Sequence, residues 1–289
     1  MVNLQGAVDL HIHSHPCLIP RLLDDRQVAQ QAAEVGMRAV MLKCHHESTV
    51  SRAYLLDSEF PELRVLGGIV LNNYVGGINP AAAEAALRMG GKEVWMPTVD
   101  AAYHARVYGG TGRYDVQETG TTGADLGSGL AILQDGRLTE ATIAVLDVIA
   151  EHDAILGTCH LSPEEIEALV KEARKRGVRK VLLTHPYFKV PGVTLDFIED
   201  MVKSGAKAEF GYCTISPMWN YSRPEIIARS IIALGAENCV LISDAGQRHN
   251  PRPVEALRVF AQCLAELGIG DKDLETMMVD NPRQLLSLE

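Results

Sequence analysis

Short apolar segments alternate with longer, more polar segments along the whole chain. The short segments, such as RAVML and KVLLT, are continuous and often β-branched, which is typical of strands buried on both faces of a parallel sheet. The longer segments end at a glycine, a residue that suits the left-handed position that terminates a helix. The pattern predicts strands at residues 7–13, 38–43, 65–70, 93–98, 154–160, 180–185, 207–211 and 239–244.

Helices are predicted in the segments that follow these strands. Ser162 with Glu165, and Ser222 with Glu225, have the spacing of capping boxes at two helix starts. The predicted helices cover roughly residues 25–35, 48–58, 80–89, 139–151, 163–176, 195–204, 224–234 and 252–267. Eight alternations favour an α/β fold of the (β/α)8 TIM barrel type. A doubly wound open sheet is the alternative, but HIHSHPCL is not the glycine-rich phosphate turn that would follow its first strand.

Two segments depart from the repeat. Residues 100–138, rich in Gly and Thr, exceed a normal connection and follow the fourth strand, so they predict a long βα-loop or lid on the catalytic face. A hairpin is expected near the Asp-Gly pair in ILQDGR, and a disordered insertion is the alternative. Residues 271–288 predict one further helix after the barrel. No linker divides the chain, so residues 1–289 are expected to form a single domain.

Composition and charge exclude several classes of function. The net charge is −10 over 289 residues, which argues against nucleic-acid and anionic-membrane partners because both require basic patches. The six cysteines are scattered singly, which favours reduced thiols in a cytoplasmic protein. No signal peptide or membrane-spanning segment is predicted. A small-molecule substrate is therefore the expected partner, and the sequence permits a homo-oligomer.

The ends of the predicted strands carry the candidate chemistry. In VDLHIHSH, His11 and His13 occupy alternate positions and therefore point to the same face of the first strand. His160, His185 and Asp244 stand at the ends of the fifth, sixth and eighth strands, on the rim where such barrels place their sites. Imidazoles and a carboxylate predict a divalent metal site for Zn²⁺, with Mn²⁺ and Fe²⁺ as alternatives. Asp244 is expected both to bind the metal and to accept a proton from metal-bound water.

This ordered set resembles the amidohydrolase superfamily. The HIH motif on strand one, His on strands five and six, and Asp on strand eight follow that arrangement. The tail DNPRQLLSL resembles the closing Asn-Pro-x-x-Leu-Leu helix of the superfamily. The resemblance extends from residue 9 to residue 288 and is greatest to a poorly characterised amidohydrolase-related branch. It implies a metal-dependent barrel enzyme and leaves the substrate undefined.

Lys43, at the end of the second strand, has three alternative roles. Binuclear members of the superfamily usually supply a carboxylated Lys or a Glu from strand four, but EVWMPTVD has no Lys at its end. Lys43 is the available substitute, and as a carbamate it would bridge two metal ions. This binuclear role is the favoured one; the alternatives are an amine or ammonium that polarises substrate and a solvent-exposed rim residue. The expected metal count is accordingly one or two.

Further residues are candidates for substrate binding or for supporting the metal ligands. His45 or His46 follows Lys43 closely enough for one of them to face the site. His249 follows Asp244, and Glu209 lies near the end of the seventh strand. In the long loop, Arg113 is a candidate for holding a polar substrate, together with the neighbouring residues Tyr103, His104 and Arg106.

The leading functional hypothesis is a metal-dependent hydrolase. Metal-bound hydroxide would attack an amide, cyclic amide or imide, lactone or ester of a small molecule, and Asp244 would carry the proton to the leaving group. The first alternative is a mononuclear metal-dependent decarboxylase or lyase on the same barrel. A phosphoesterase of the polymerase-and-histidinol-phosphatase type is less favoured. That family ends on Asp-x-His, whereas this chain reads SDAGQRH. A non-catalytic metal-binding sensor is the remaining alternative.

Overall fold

The structure is a computed structural model that describes residues 2–115 and 127–288. Within these residues the strands are β1 (Val8–His13), β2 (Ala39–Lys43), β3 (Arg64–Val70), β4 (Glu93–Trp95), β5 (Leu133–Gln134), β6 (Arg137–Leu138), β7 (Ile155–Gly157), β8 (Lys180–Thr184), β9 (Ala206–Gly211) and β10 (Cys239–Ile242). Eight strands form one sheet in the order β1-β2-β3-β4-β7-β8-β9-β10, and all neighbours are parallel.

Backbone hydrogen bonds join the first and last of these strands. The amide of Asp244 donates to the carbonyl of His11 at 3.0 Å, and the amide of His13 donates to the carbonyl of Ala245 at 2.9 Å. These bonds bring the end of β10 against β1 and nearly close the sheet into a barrel. The predicted (β/α)8 barrel is confirmed, since helices surround a parallel eight-stranded sheet.

The helices of the described residues include all eight that the sequence predicts. They are α1 (Asp25–Glu34), α2 (Val50–Asp57), α3 (Pro80–Arg88), α4 (Ala102–Tyr108), α5 (Glu140–Glu151), α6 (Pro163–Lys175), α7 (Leu195–Lys203), α8 (Tyr212–Ile215), α9 (Pro224–Leu234), α10 (Pro253–Glu266), α11 (Asp271–Glu275) and α12 (Asn281–Leu286). The capping box of Ser162 and Glu165 is present at α6. The one predicted at Ser222 and Glu225 is wrong, because Arg223 is the N-cap of α9. None of the described helices is long and apolar enough to cross a membrane.

The long segment after β4 contains regular structure on both sides of residues 116–126, which lie outside the described residues. It begins with α4 and ends with the antiparallel hairpin of β5 and β6. Asp135 and Gly136 form the turn with φ of +51° and +72°, the left-handed pair that a two-residue hairpin turn requires. The predicted hairpin is therefore confirmed.

Four strands, β4, β7, β8 and β10, end one to three residues before the C-terminal boundaries that the sequence predicts. The backbone explains this difference. Cys159, His185 and Asp244 have φ of +53°, +31° and +47°, which an extended strand cannot contain. After β4, Pro97 lacks the amide hydrogen that a continued strand would donate. His185 and Asp244 thus lie just beyond their strands, on left-handed backbone of the kind that clusters at functional sites.

The opposite end of the barrel is closed by the C-terminal helical segment. A π-helical turn at Thr276–Asp280 joins α11 to α12, so the predicted terminal helix is present. Leu285 and Leu286 pack with the barrel interior, which includes Leu10 of β1. The side-chain amide of Asn281 donates to backbone carbonyls beside β10, at 2.7 and 2.9 Å. These contacts leave the C-terminal mouth as the open end.

Candidate metal centre

One cavity lies at the C-terminal mouth, where the carboxyl ends of the strands meet. All six residues predicted as metal ligands contribute to its wall. The cavity is lined by His11, His13, Ile19, Arg21, Lys43, His45, Tyr114, His160, His185, Phe188, Cys213, Trp219, Asp244 and Gln247. The structure therefore brings together side chains from β1 and β2 and from the segments that follow seven of the barrel strands.

Three of these residues form a compact group of ligand atoms. Oδ1 of Asp244 lies 3.2 Å from Nε2 of His11 and 3.3 Å from Nε2 of His13. One ligand atom from each residue lies within 4.8 Å of the other two, and all three side chains are buried. Two imidazole nitrogens and one carboxylate oxygen at this spacing form a donor set that suits a divalent transition metal.

Burial sets the protonation of this group. It lowers the pKa of His11 and of His13 well below 6.5, and the nearby Lys43 and Arg21 lower it further. The imidazoles are therefore neutral, which is the form that binds metals. Burial also raises the pKa of Asp244 to about 7, against the opposing effect of Lys43 and Arg21. The charge of a bound cation would favour the carboxylate form.

His185 and His160 extend the group along one side. The ring centroids of His11 and His185 are 6.0 Å apart, and those of His185 and His160 are 5.1 Å apart. Nδ1 of His185 is buried without a hydrogen-bond partner among the described residues. An unpaired buried nitrogen is costly unless something binds it, so this atom also fits a site that holds a ligand.

Hydrogen bonds set the tautomers of His13 and His160. Nδ1 of His13 donates to the carbonyl of Lys43 at 3.1 Å, which leaves the lone pair on Nε2, the atom beside Asp244. Nε2 of His104 donates to the carbonyl of Arg113 at 2.7 Å, so Nδ1 of His104 accepts from Nδ1 of His160 at 2.8 Å. His160 is thereby left with its lone pair on Nε2. Such partners orient metal-binding histidines in proteins.

Lys43 is buried beneath the histidines, with 1% of its surface exposed. The structure contradicts its interpretation as an exposed rim lysine, because β2 delivers the side chain into the barrel. Its Nζ lies 3.6 Å from Sγ of Cys159 and 4.9 Å from the Trp95 ring centroid. Two buried carboxyl groups complete its surroundings: burial raises the pKa of Glu93 well above its ordinary value and that of Glu209 to about 8, while Lys43 lowers both.

Of the four residues predicted to support the site, only His45 lines the cavity. Its Nδ1 lies 2.8 Å from Oγ1 of Thr98. Glu209 lies underneath, with Oε2 3.7 Å from Nδ1 of His11. Arg113 does not line the cavity, because its side chain is exposed and donates to the carbonyl of Gly109; only its own carbonyl supports His104.

His249 lies behind the cavity wall. Its ring packs against Trp219, which lines the cavity, with centroids 5.7 Å apart, and His249 itself is not part of the cavity lining. His46 also points away, toward the sulfurs of Cys17 and Cys44. Of the two histidines that follow Lys43, His45 is therefore the one that faces the site.

Sequence reasoning missed an aromatic wall and two charged groups. The aromatic wall is formed by Tyr114, Phe188 and Trp219, whose neighbouring ring centroids are 5.4 and 5.6 Å apart. The aromatic cluster MWNY, soon after the seventh predicted strand, is a signal that could have indicated Trp219. Arg21 follows β1 in a loop, and Glu93 begins β4; neither carries a local signal of its position.

Comparison with known proteins gives a family and a shared fold. The model of a family of unknown function (DUF6282) matches residues 6–209. Among curated proteins, no sequence matches this chain significantly. Many solved structures match it, and those described below belong to the amidohydrolase superfamily.

Three of these structures illustrate the likeness. A 2,6-dihydroxybenzoate decarboxylase from Rhizobium is 13% identical, with a TM-score of 0.57 over 98% of this chain and 99% of its own. An amidohydrolase from Pseudomonas aeruginosa is 12% identical, with a TM-score of 0.59 over 98% and 95%. A putative 2-pyrone-4,6-dicarboxylic acid hydrolase from Pseudomonas putida is 16% identical, with a TM-score of 0.59 over 100% and 99%. The expected resemblance is confirmed at the level of the fold.

Proposed function

This chain belongs to the DUF6282 family, and we propose that it is a metal-dependent hydrolase of small molecules. The bond cleaved is an amide, a cyclic amide or imide, a lactone or an ester. The observation that carries the proposal is the position of Asp244, whose Oδ1 lies 3.2 and 3.3 Å from the Nε2 atoms of His11 and His13 at the cavity wall. Imidazoles beside a carboxylate, at the wall of a cavity in the barrel mouth, suit hydrolytic chemistry.

His11, His13 and Asp244 would hold the metal, and His185 and His160 are the neighbouring imidazoles available to complete its coordination. Zn²⁺ is the preferred ion, and Mn²⁺ and Fe²⁺ suit the same nitrogen and oxygen donors. A divalent metal here would supply a Lewis acid that polarises a carbonyl and lowers the pKa of a coordinated water.

The protein groups would move the proton and orient the substrate. Asp244 faces the cavity and would accept the proton of the attacking water, then deliver it to the leaving group. His160, with its lone pair on Nε2, would accept a hydrogen bond or bind the metal. Arg21 supplies a positive charge at the cavity wall for an anionic substrate group.

For Lys43, we propose that the amino group itself acts, beside a single metal ion. The compact ligand group of the described residues accommodates one ion, and Nζ of Lys43 is directed toward Trp95 and Cys159. A carbamate of Lys43 that bridges two ions is the alternative, and the metal count distinguishes the two roles.

A second candidate, a metal-dependent decarboxylase, is supported by the aromatic wall. Tyr114, Phe188 and Trp219 offer flat apolar surface on which a planar acid would stack, in a cavity that the positively charged Arg21 also lines. This chain also shares its fold with a 2,6-dihydroxybenzoate decarboxylase, so a barrel of this kind carries decarboxylation in that protein.

The test is a substrate screen with the full chain loaded with Zn²⁺, Mn²⁺ or Fe²⁺. Small cyclic amides, lactones, esters and aromatic carboxylic acids are incubated with the protein, and products are identified by mass spectrometry. Addition of water supports the hydrolase, and loss of CO₂ supports the decarboxylase. Asp244→Asn, prepared in parallel, must slow the observed reaction by at least about 100-fold. Turnover that survives both chelation and this substitution would overturn the proposal.

A further inference from the structure

We propose that Cys17, Cys44 and His46 form a second metal site beside the catalytic mouth. The site binds a divalent cation that accepts thiolate ligands, and Zn²⁺ is the preferred ion. The three residues follow β1 and β2 in two neighbouring loops. None of them belongs to the candidate metal centre described above. The proposal does not depend on which reaction the barrel catalyses.

The ligand atoms already have the spacing that a bound ion requires. Nδ1 of His46 lies 3.7 Å from Sγ of Cys17 and 3.9 Å from Sγ of Cys44, and the three atoms lie within 4.8 Å of one another. Bonds of about 2.3 Å to sulfur and about 2.0 Å to nitrogen place sulfur and nitrogen about 3.5 Å apart around a tetrahedral zinc. An ion therefore fits with small side-chain movements.

Burial and charge also suit this site. Cys44 is buried, while Cys17 and His46 are half-buried, so the fourth position can take a water from the surface. Nε of Arg21 donates to Sγ of Cys17 at 3.4 Å. Thiolate is the form of cysteine that binds metal.

The donor set selects a different class of ion from the hard divalent cations. Two sulfurs and one imidazole bind Zn²⁺ and similar borderline or soft ions, whereas Mg²⁺, Ca²⁺ and Mn²⁺ prefer oxygen ligands. His46 is held in place by an edge-on contact with the ring of Tyr74, whose centroid is 4.8 Å away. The ring is thus oriented before any ion binds.

An ion at this site would act on the catalytic cavity through the chain. The loop after β1 carries Ile19 and Arg21 into the cavity wall, and the loop after β2 carries His45. Binding to Cys17 in one loop and to Cys44 and His46 in the other would join the two loops. The ion would thereby position Arg21, whose Nε already contacts one of the sulfur ligands.

Co²⁺ is the probe for the test, because cobalt–thiolate bonds give intense near-ultraviolet charge-transfer absorption and cobalt bound only by nitrogen and oxygen does not. Reduced, metal-free full-length protein is titrated with Co²⁺. Wild type and the double variant His11→Ala/His13→Ala are expected to show this absorption, and Cys17→Ser and Cys44→Ser to lose it. Cys263→Ser, at another half-buried cysteine, is the matched control and must retain it. Absence of the band from wild type, or its survival in Cys17→Ser/Cys44→Ser, overturns the proposal.

A second measurement needs no variant and therefore does not depend on their folding. Zn²⁺ added to the reduced wild-type protein is expected to slow alkylation of Cys17 and Cys44, but not of Cys263, as followed by peptide mass spectrometry. Equal alkylation of Cys17 and Cys44 with and without Zn²⁺ contradicts a metal site. A Cys17–Cys44 disulfide formed in the presence of Zn²⁺ also contradicts it, since bridged sulfurs are no longer thiolate ligands.

Discussion

Nδ1 of His104 lies 2.8 Å from Nδ1 of His160, and this hydrogen bond links the long segment after β4 to the candidate metal centre. His104 is fully buried on α4, and its other ring nitrogen is bonded to the carbonyl of Arg113. The direction of the second bond fixes the direction of the first. The long segment therefore determines which nitrogen of His160 carries the lone pair.

Removing this partner is expected to weaken the metal centre. His104→Leu fills the space but accepts no hydrogen bond, so His160 loses its fixed tautomer and orientation. Metal affinity should fall by about 10–100-fold, the usual effect of losing such a partner. Competition with a chromophoric chelator measures the change, and His152→Ala, at the end of α5, is the control. Unchanged affinity would show that His160 is not a ligand.

Asp244→Asn tests the proton-transfer role separately from folding. The amide occupies the same space but accepts no proton, so kcat should fall by about 10²–10⁴-fold on whichever substrate the screen identifies. Thermal unfolding shows whether the variant remains folded. Asp280→Asn, near the opposite end of the barrel, should leave kcat unchanged. A modest loss of less than about tenfold would assign proton transfer to another group.

The pH dependence of metal binding should follow Asp244 rather than the histidines. Burial raises the pKa of Asp244 to about 7 and lowers those of His11 and His13 well below 6.5. As the pH falls below about 7, one proton competes with the metal for Asp244, so affinity should fall about tenfold per pH unit. Asp244→Asn should remove this slope. Competition by two or more protons just below pH 7 would show that the histidines titrate there.

Local rules were sufficient to predict the barrel and most of its cavity wall. Alternation placed His11 and His13 on one face of β1, and the shared direction of parallel strands placed His160, His185 and Asp244 at the same end. Both inferences depend on regular backbone geometry, which neighbouring residues determine. The helices and the Asp-Gly hairpin could be predicted for the same reason.

Loop residues could not be placed by such rules. Arg113 and His249 follow site elements closely in sequence, but their loops direct the Arg113 side chain into solvent and His249 behind Trp219. Whether His45 or His46 faces the cavity depends on the backbone after β2. Glu93 begins a short strand, where a charged residue normally suggests exposure; closure of the barrel buries it instead.

Lys43→Met tests how many ions the centre holds. Met has similar length and no amine, so a single-ion site at His11, His13 and Asp244 should keep its metal content while turnover falls. Elemental analysis of protein purified without chelators measures this content. If a carbamate bridges two ions, the variant should lose at least one of them, and added short carboxylic acids should partly restore it. That outcome would show that Lys43 acts as a carbamate and not as a free amine.

The final prediction concerns substrate selection by the long segment. Tyr114 belongs to the aromatic wall of the cavity, whereas the side chain of the adjacent Arg113 is exposed. Tyr114→Ala should raise KM several-fold for a planar substrate, because it removes stacking surface, and should leave metal content unchanged. Arg113→Ala is the matched control and should change neither quantity, since its backbone carbonyl still accepts from His104. If the two variants have equal KM values, the segment does not select substrate through this wall. A fall in metal content in Arg113→Ala would instead show that its side chain supports the His104–His160 pair.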